Sequence, residues 1–157
     1  MKISLIVVGK TTEKYIEEAI NEYVKRIGFF NAFNMMVIPD LKNAKSLSKE
    51  MIKQKEGENI LSQIVDYDDV VLLDENGKEF TSLEFASYTE KKMVNGVRKV
   101  AFVIGGPYGF SDDVYNAAKG KISLSKMTFS HQIIRPLFLE QLYRAYTIIN
   151  NTPYHHE

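Results

Sequence analysis

Hydrophobic positions along this chain alternate between short unbroken runs and longer stretches with helical spacing. The run from Ile3 to Val8 stops at Gly9, the pattern of a strand buried on both faces, which implies a parallel sheet. Tyr15, Ile16, Ala19, Ile20, Tyr23, Val24 and Ile27 then recur at helical spacing, with Thr11 and Thr12 available as N-caps and Gly28 as the closing C-cap. Phe33 to Ile38 reads as a second strand stopped by Pro39-Asp40, and Leu41 to Ser46 as a polar loop. Leu47 to Ile64 mixes apolar and charged positions and predicts a helix frayed near Gly57. Val70 to Asp74 is a third strand, ending in a carboxylate and followed by a tight turn at Asn76-Gly77.

Thr81 and Glu84 have the spacing of a capping box, so a helix is expected from Ser82 to about Asn95, with Gly96 beyond its end. A fourth buried strand, Val100 to Ile104, runs into Gly105-Gly106-Pro107-Tyr108-Gly109. Ser111 caps a short helix whose Asp112 and Asp113 complement the positive end of the helix dipole. Ile122 to Leu124 is a short fifth strand, and Gln132 to Ile149 a helix whose apolar face looks too broad for one domain to cover. The alternation predicts an α/β fold, a parallel-rich sheet between helices in one domain spanning residues 1–157, with ligands expected at the carboxyl ends of the strands.

Composition narrows the function less than the fold. The 157 residues contain no cysteine, so disulfides and thiolate metal sites are excluded, which suits a reducing cytosol. The first apolar run is followed at once by Lys10, Glu13 and Lys14 with no small-residue cleavage site, unlike a secretory signal. No apolar run approaches the roughly 20 residues that span a bilayer. A cytoplasmic protein without membrane contact is expected. With 20 basic and 20 acidic residues the net charge of +0 gives no general indication of a nucleic-acid partner. Basic residues do outnumber acidic ones from Lys119 onward, although on charge alone ordinary solvated surface is the better explanation of that bias.

Two nucleotide-binding motifs fail on spacing. Gly9-Lys10-Thr11 ends like a phosphate-binding loop, but Ser4 stands where that motif needs glycine. Gly105 to Gly109 lacks the spaced dinucleotide fingerprint, and Pro107 removes an amide donor. Glycines directly after a buried strand still allow close backbone approach to a flat ligand, as they also allow a plain tight turn.

The combination of Val8-Gly9-Lys10, Leu73-Asp74 with Gly77-Lys78, Ile104 to Pro107 with Gly109, Leu124 to Thr128 with His131, Arg135, Glu140 to Ala145 and Asn150 to His155 resembles the ribosomal RNA large subunit methyltransferase H family of the SPOUT superfamily, over the full length. The resemblance implies an α/β domain with a C-terminal trefoil knot, a homodimer, and S-adenosylmethionine as methyl donor with no metal. It implies methylation of N3 of a pseudouridine in large-subunit ribosomal RNA, within the assembled ribosome. By position, Leu73, Gly105 and the stretch Leu124, Ser125, Lys126, Met127, Thr128 and Phe129 would hold the donor, with Gly106 and Gly109 shaping the loop.

Proton removal needs a group that titrates near neutrality or a phenol, which makes His131, His155 and Tyr154 the candidates. His131 also suits a structural role at the start of the last helix. Arg135 and Arg144 suit phosphate or base contacts, or pairing with Glu140. Relatives often carry arginine after the tail histidine, where this chain has His156. Two rivals stay open at this point: a ribosome-binding factor that has lost catalysis, and a related enzyme acting on transfer RNA.

Overall fold

The computed structural model describes residues 1–156. Strands β1 (Lys2–Val8), β2 (Phe33–Ile38), β3 (Asp69–Glu79), β4 (Lys99–Ile104) and β5 (Gly120–Ser123) form one sheet in the order β2-β1-β4-β3-β5, and every pairing is parallel. Helices α1 (Lys14–Gly28), α2 (Lys49–Ile64), α3 (Ser82–Val94), α4 (Asp112–Ala117) and α5 (Ile134–Ile149) cover it, with a short 3₁₀ turn at Ala44–Ser46. The unbroken apolar runs are explained by burial from both sides. On one face Ile3, Leu5, Val7, Val71, Val100, Phe102 and Ile104 pack against α1, α3 and α5. On the other, Ile6, Val8, Val70, Leu72, Ala101 and Val103 meet Ile60 and Ile64 of α2 and Val114 of α4.

Several local expectations are corrected. Asn76-Gly77 is not a hairpin turn: β3 continues to Glu79, and residues 74–77 bulge out because the register with β5 slips between Leu73 and Lys78. Gly77 lies against the backbone of Ile122, where a Cβ would come within 2.5 Å of its carbonyl carbon, so the glycine serves close strand approach. Thr11 and Thr12 do not cap α1, whose N-cap is Glu13 without a side-chain bond, and Gly28 is the last helical residue, followed by Phe29 as C-cap. Gly57 does not fray α2 but is buried within it, where an added Cβ would collide with the Ser111 hydroxyl.

Helix α5 begins at Ile134, and its broad apolar face is mostly covered by its own chain. Phe138, Leu139, Leu142, Ala145 and Tyr146 are buried in the α1–α3–α5 layer, and Leu137 is left exposed. The capping box of Thr81 and Glu84 forms as expected, and Ser111 caps α4.

Candidate functional site

At the carboxyl edge of the sheet, three chain segments enclose a cleft of about 390 Å³. One wall is the loop after β4, from Ile104 to Phe110; the second is the bulge Asp74-Glu75-Asn76; the third is the turn after β5, with Leu124 and Met127 to Phe129. The parallel order places β4 beside β3, and β3 beside β5, so their C-terminal ends converge here. His131 and Ile134 complete the lining from the start of α5.

The segments are cross-linked by side chains. Asp74 accepts hydrogen bonds from the Asn76 amide (2.8 Å) and from the Tyr115 hydroxyl, and Thr128 donates to Glu75 at 2.8 Å, tying the bulge to the turn after β5. Burial and the neighbouring Asp74 carboxylate push the Tyr115 phenol well above its ordinary value, so it stays a hydrogen-bond donor. Gly109 needs its positive φ of 83°, and beyond its Cα there is open space. Gly106 is different: a Cβ there would lie 2.6 Å from Glu56 Oε1, so α2 supports the loop from behind.

Leu73, Gly105, Gly106, Gly109, Leu124, Met127, Thr128, Phe129 and His131 all line this cleft. Ser125 and Lys126 do not; the Ser125 hydroxyl accepts from the Met127 amide at 3.0 Å and shapes the turn instead. Arg135 is fully buried and donates to the Val8 carbonyl (2.9 Å), the His131 carbonyl (2.9 Å) and Thr11 Oγ1 (3.1 Å). With its donors turned inward it ties the end of β1 to the start of α5. It presents no free guanidinium face to a phosphate. Burial, and then the Arg135 charge, lower the His131 pKa, while Asp40 opposes them weakly, so the imidazole is neutral at physiological pH.

Arg144, Tyr154 and His155 form a second cluster on α5, away from the cleft lining. Glu140 accepts from both the Arg144 guanidinium and the Tyr154 hydroxyl (3.0 Å), the Arg144 guanidinium stacks 4.8 Å over the Tyr154 ring, and its Nη1 lies 3.2 Å from His155 Nδ1. Burial is the first cause, and bonding to Tyr23 and Glu140 the next, that holds the Tyr154 phenol far above its ordinary value. The tail is therefore docked rather than loose.

Reading the sequence missed Glu75, Tyr115 and Glu56. Glu56 falls at helical spacing with Ile52 and Ile60, and a charge on an apolar stripe was the available signal. Nothing in the local pattern marks Tyr115. Among the described residues no group of three or more potential ligands could hold a metal ion, and no helix is long and apolar enough to cross a membrane.

Comparison with known proteins places this geometry. Residues 1–155 match the family described as predicted SPOUT methyltransferase. Proteins called ribosomal RNA large subunit methyltransferase H are similar along their whole length: that of Parabacteroides distasonis is 60% identical over 157 residues, and that of Flavobacterium psychrophilum 54%, each with 100% of both chains covered. Among solved structures, a probable methyltransferase of Bordetella pertussis aligns with TM-score 0.58 at 9% identity, covering 92% of this chain and 96% of that one. A methyltransferase candidate of Legionella pneumophila, solved in complex with the bound cofactor SAM, aligns with TM-score 0.50 at 16% identity over 92% of this chain and 66% of that one. At such identities the structural likeness speaks for the fold.

Proposed function

The chain belongs to the SPOUT methyltransferase family, among the proteins named ribosomal RNA large subunit methyltransferase H, and from that membership we propose that it methylates N3 of a pseudouridine in large-subunit (23S) ribosomal RNA on the assembled ribosome. S-adenosylmethionine is the donor in this reading, and when bound it supplies an electrophilic methyl group on a sulfonium. The single observation that carries the proposal is the cleft, formed where the β4 loop meets the turn after β5 in a chain with full-length likeness to these methyltransferases.

The residues present fit that donor. A volume of about 390 Å³ lies in the usual range for a small-molecule site. Leu73, Ile104, Leu124, Phe129 and Ile134 give apolar walls suited to a purine, while Asp74 and Glu75 give a negative rim suited to a cation. Gly105, Gly106 and Gly109 let the main chain serve as the cradle. Ser125 acts by shaping the turn, and Lys126 lies outside the cleft lining.

Alignment is the main catalytic device in this scheme, since well-oriented reactants save on the order of 7–11 kcal/mol. The chain's own part would be to hold N3 in line with the methyl group and to let the N3 proton pass to a side-chain base or to water. His131 is neutral and in the cleft wall, so it is one acceptor; Arg135 positions it through its main-chain carbonyl. His155 is the other, with Arg144 beside it, while Tyr154, its phenol kept protonated, serves as a hydrogen-bond donor; both reach a cleft by crossing to the partner subunit of a homodimer. Met127 and Phe129, exposed apolar residues of the cleft wall, and Leu137 on α5 support such an interface. The proposal includes one domain over residues 1–157, a knotted C-terminus and a cytoplasmic site of action.

Labelled donor incubated with the protein and intact ribosomes, separated subunits or transfer RNA tests the function. Label is expected in large-subunit RNA from intact ribosomes, at N3 of a pseudouridine by mass spectrometry. Label in transfer RNA alone would reassign the substrate, and ribosome binding without transfer to any RNA would identify a binding factor that has lost catalysis.

A further inference from the structure

We propose that the lysine-rich segment from Lys42 to Lys55, together with Tyr108 at the cleft mouth, forms the surface on which a looped, single-stranded stretch of the RNA substrate docks. This rests on the RNA methyltransferase reading above and adds where the substrate lies. Residues 42–55 hold five lysines against one carboxylate, Glu50, a local excess hidden by the chain's net charge of +0. The segment joins the end of β2 to the first half of α2, so it lies at the carboxyl edge of the parallel sheet, the edge that carries the cleft.

Helix α2 is laid directly on the cleft loop. Lys49 Nζ stands 5.6 Å from the centroid of the Tyr108 ring, the Glu56 carboxyl backs Gly106, and Gly57 abuts Ser111. Tyr108 lines the cleft and is 41% exposed, leaving ring surface on which an unstacked base can lie beside a cation.

Ion pairing within the fold accounts for one of the five lysines. Lys42, Lys45, Lys49 and Lys55 are exposed. Among the described residues only Lys53 of the five meets a carboxylate, Glu50 at 3.5 Å. Lys49, the first residue of α2, opposes the helix dipole, so helix stability does not account for it. Of the nearby acids, Glu50 is held by Lys53 and Asp40 is turned onto Gly9. What remains is a group of exposed cations leading to the cleft, which is what a phosphate backbone recognises.

The test is the triple variant Lys42→Glu/Lys45→Glu/Lys49→Glu in the full chain. Intact ribosomes lacking the modification serve as probe, and calorimetry follows the methyl donor. The expected result is a KM for ribosomes raised on the order of 10-fold or more and a log–log salt dependence of binding shallower by about 2–3, with donor affinity and melting temperature kept. Unchanged KM and salt dependence would overturn the proposal. So would a parallel loss of donor affinity, which would mean that the segment acts through the cofactor loop. Cosedimentation with ribosomes scores docking without methyl transfer. A wild type that binds through these lysines but does not methylate counts against the activity only, and a wild type that does not bind counts against the surface.

Discussion

Gly106 has no side chain because Glu56 occupies the space one would need. The glycine pair after β4 was legible as a backbone-approach site, but the reason for Gly106 lay in a residue fifty positions earlier that no local pattern could reveal. Gly106→Val is therefore expected to displace the loop rather than merely narrow the cleft, costing about 1–3 kcal/mol of stability by overpacking. Donor affinity should fall at least about 10-fold in calorimetry, and unchanged affinity would contradict the placement of the site. His131 was legible as a candidate base by residue type, whereas Arg135, suited by type to phosphate or base contacts or to pairing with Glu140, is a buried tie that donates to Val8, Thr11 and His131. The lowered His131 pKa has a consequence for stability. The folded state takes up the proton less readily than the unfolded chain, so this residue's contribution is present above the ordinary histidine range and is lost as pH falls below it. Melting temperature should decline more steeply between pH 7 and 5 in the wild type than in His131→Gln, and equal slopes would refute the shift.

At the scale of elements, hydrophobic rhythm marked the five strands and the helices α1, α2 and α5, because strands buried on both faces and helices covering one leave opposite signatures, while capping residues marked α3 and α4. It failed at residues 74–79, where Asn76-Gly77 has turn composition but the chain stays in β3 and bulges. The competing cause is pairing with β5, a contact more than forty residues away along the chain. Helix α2 also carries more than its pattern suggested. Its Glu56 is buried with Oε1 unpartnered among the described residues, and burial first, then Asp40, raises the carboxyl's pKa. Such a group favours the folded state below its unfolded pKa, and that contribution is lost as pH rises through the folded value. Glu56→Gln, uncharged throughout, should thus melt about 2–4 °C higher than wild type near pH 8, the effect of ~1 kcal/mol in a chain of this size, with the gap closing near pH 4. A lower melting temperature at pH 8 would show that the carboxylate is stabilised by the loop it supports.

For the whole molecule, the family was legible because scattered residues recur in one order over the full length, while the broad apolar face of α5 is mostly absorbed by α1 and α3. The tail's candidates, Tyr154 and His155, are docked on Glu140 and Arg144 of α5, outside the cleft of their own chain, which is consistent with service across a dimer. Light scattering should then give twice the 18.0 kDa chain mass. His155→Ala should keep donor affinity and lower methyl transfer to ribosomes on the order of 10²-fold, within the usual range for loss of a proton-transfer group; unimpaired turnover would remove His155 from the site. The most direct measurement is a crystal structure of the protein soaked in S-adenosylmethionine. Donor density is expected between Gly105–Gly109 and Leu124–Phe129, with the positive end towards Asp74 and Glu75; density elsewhere, or an empty cleft at saturating donor, would contradict the assignment.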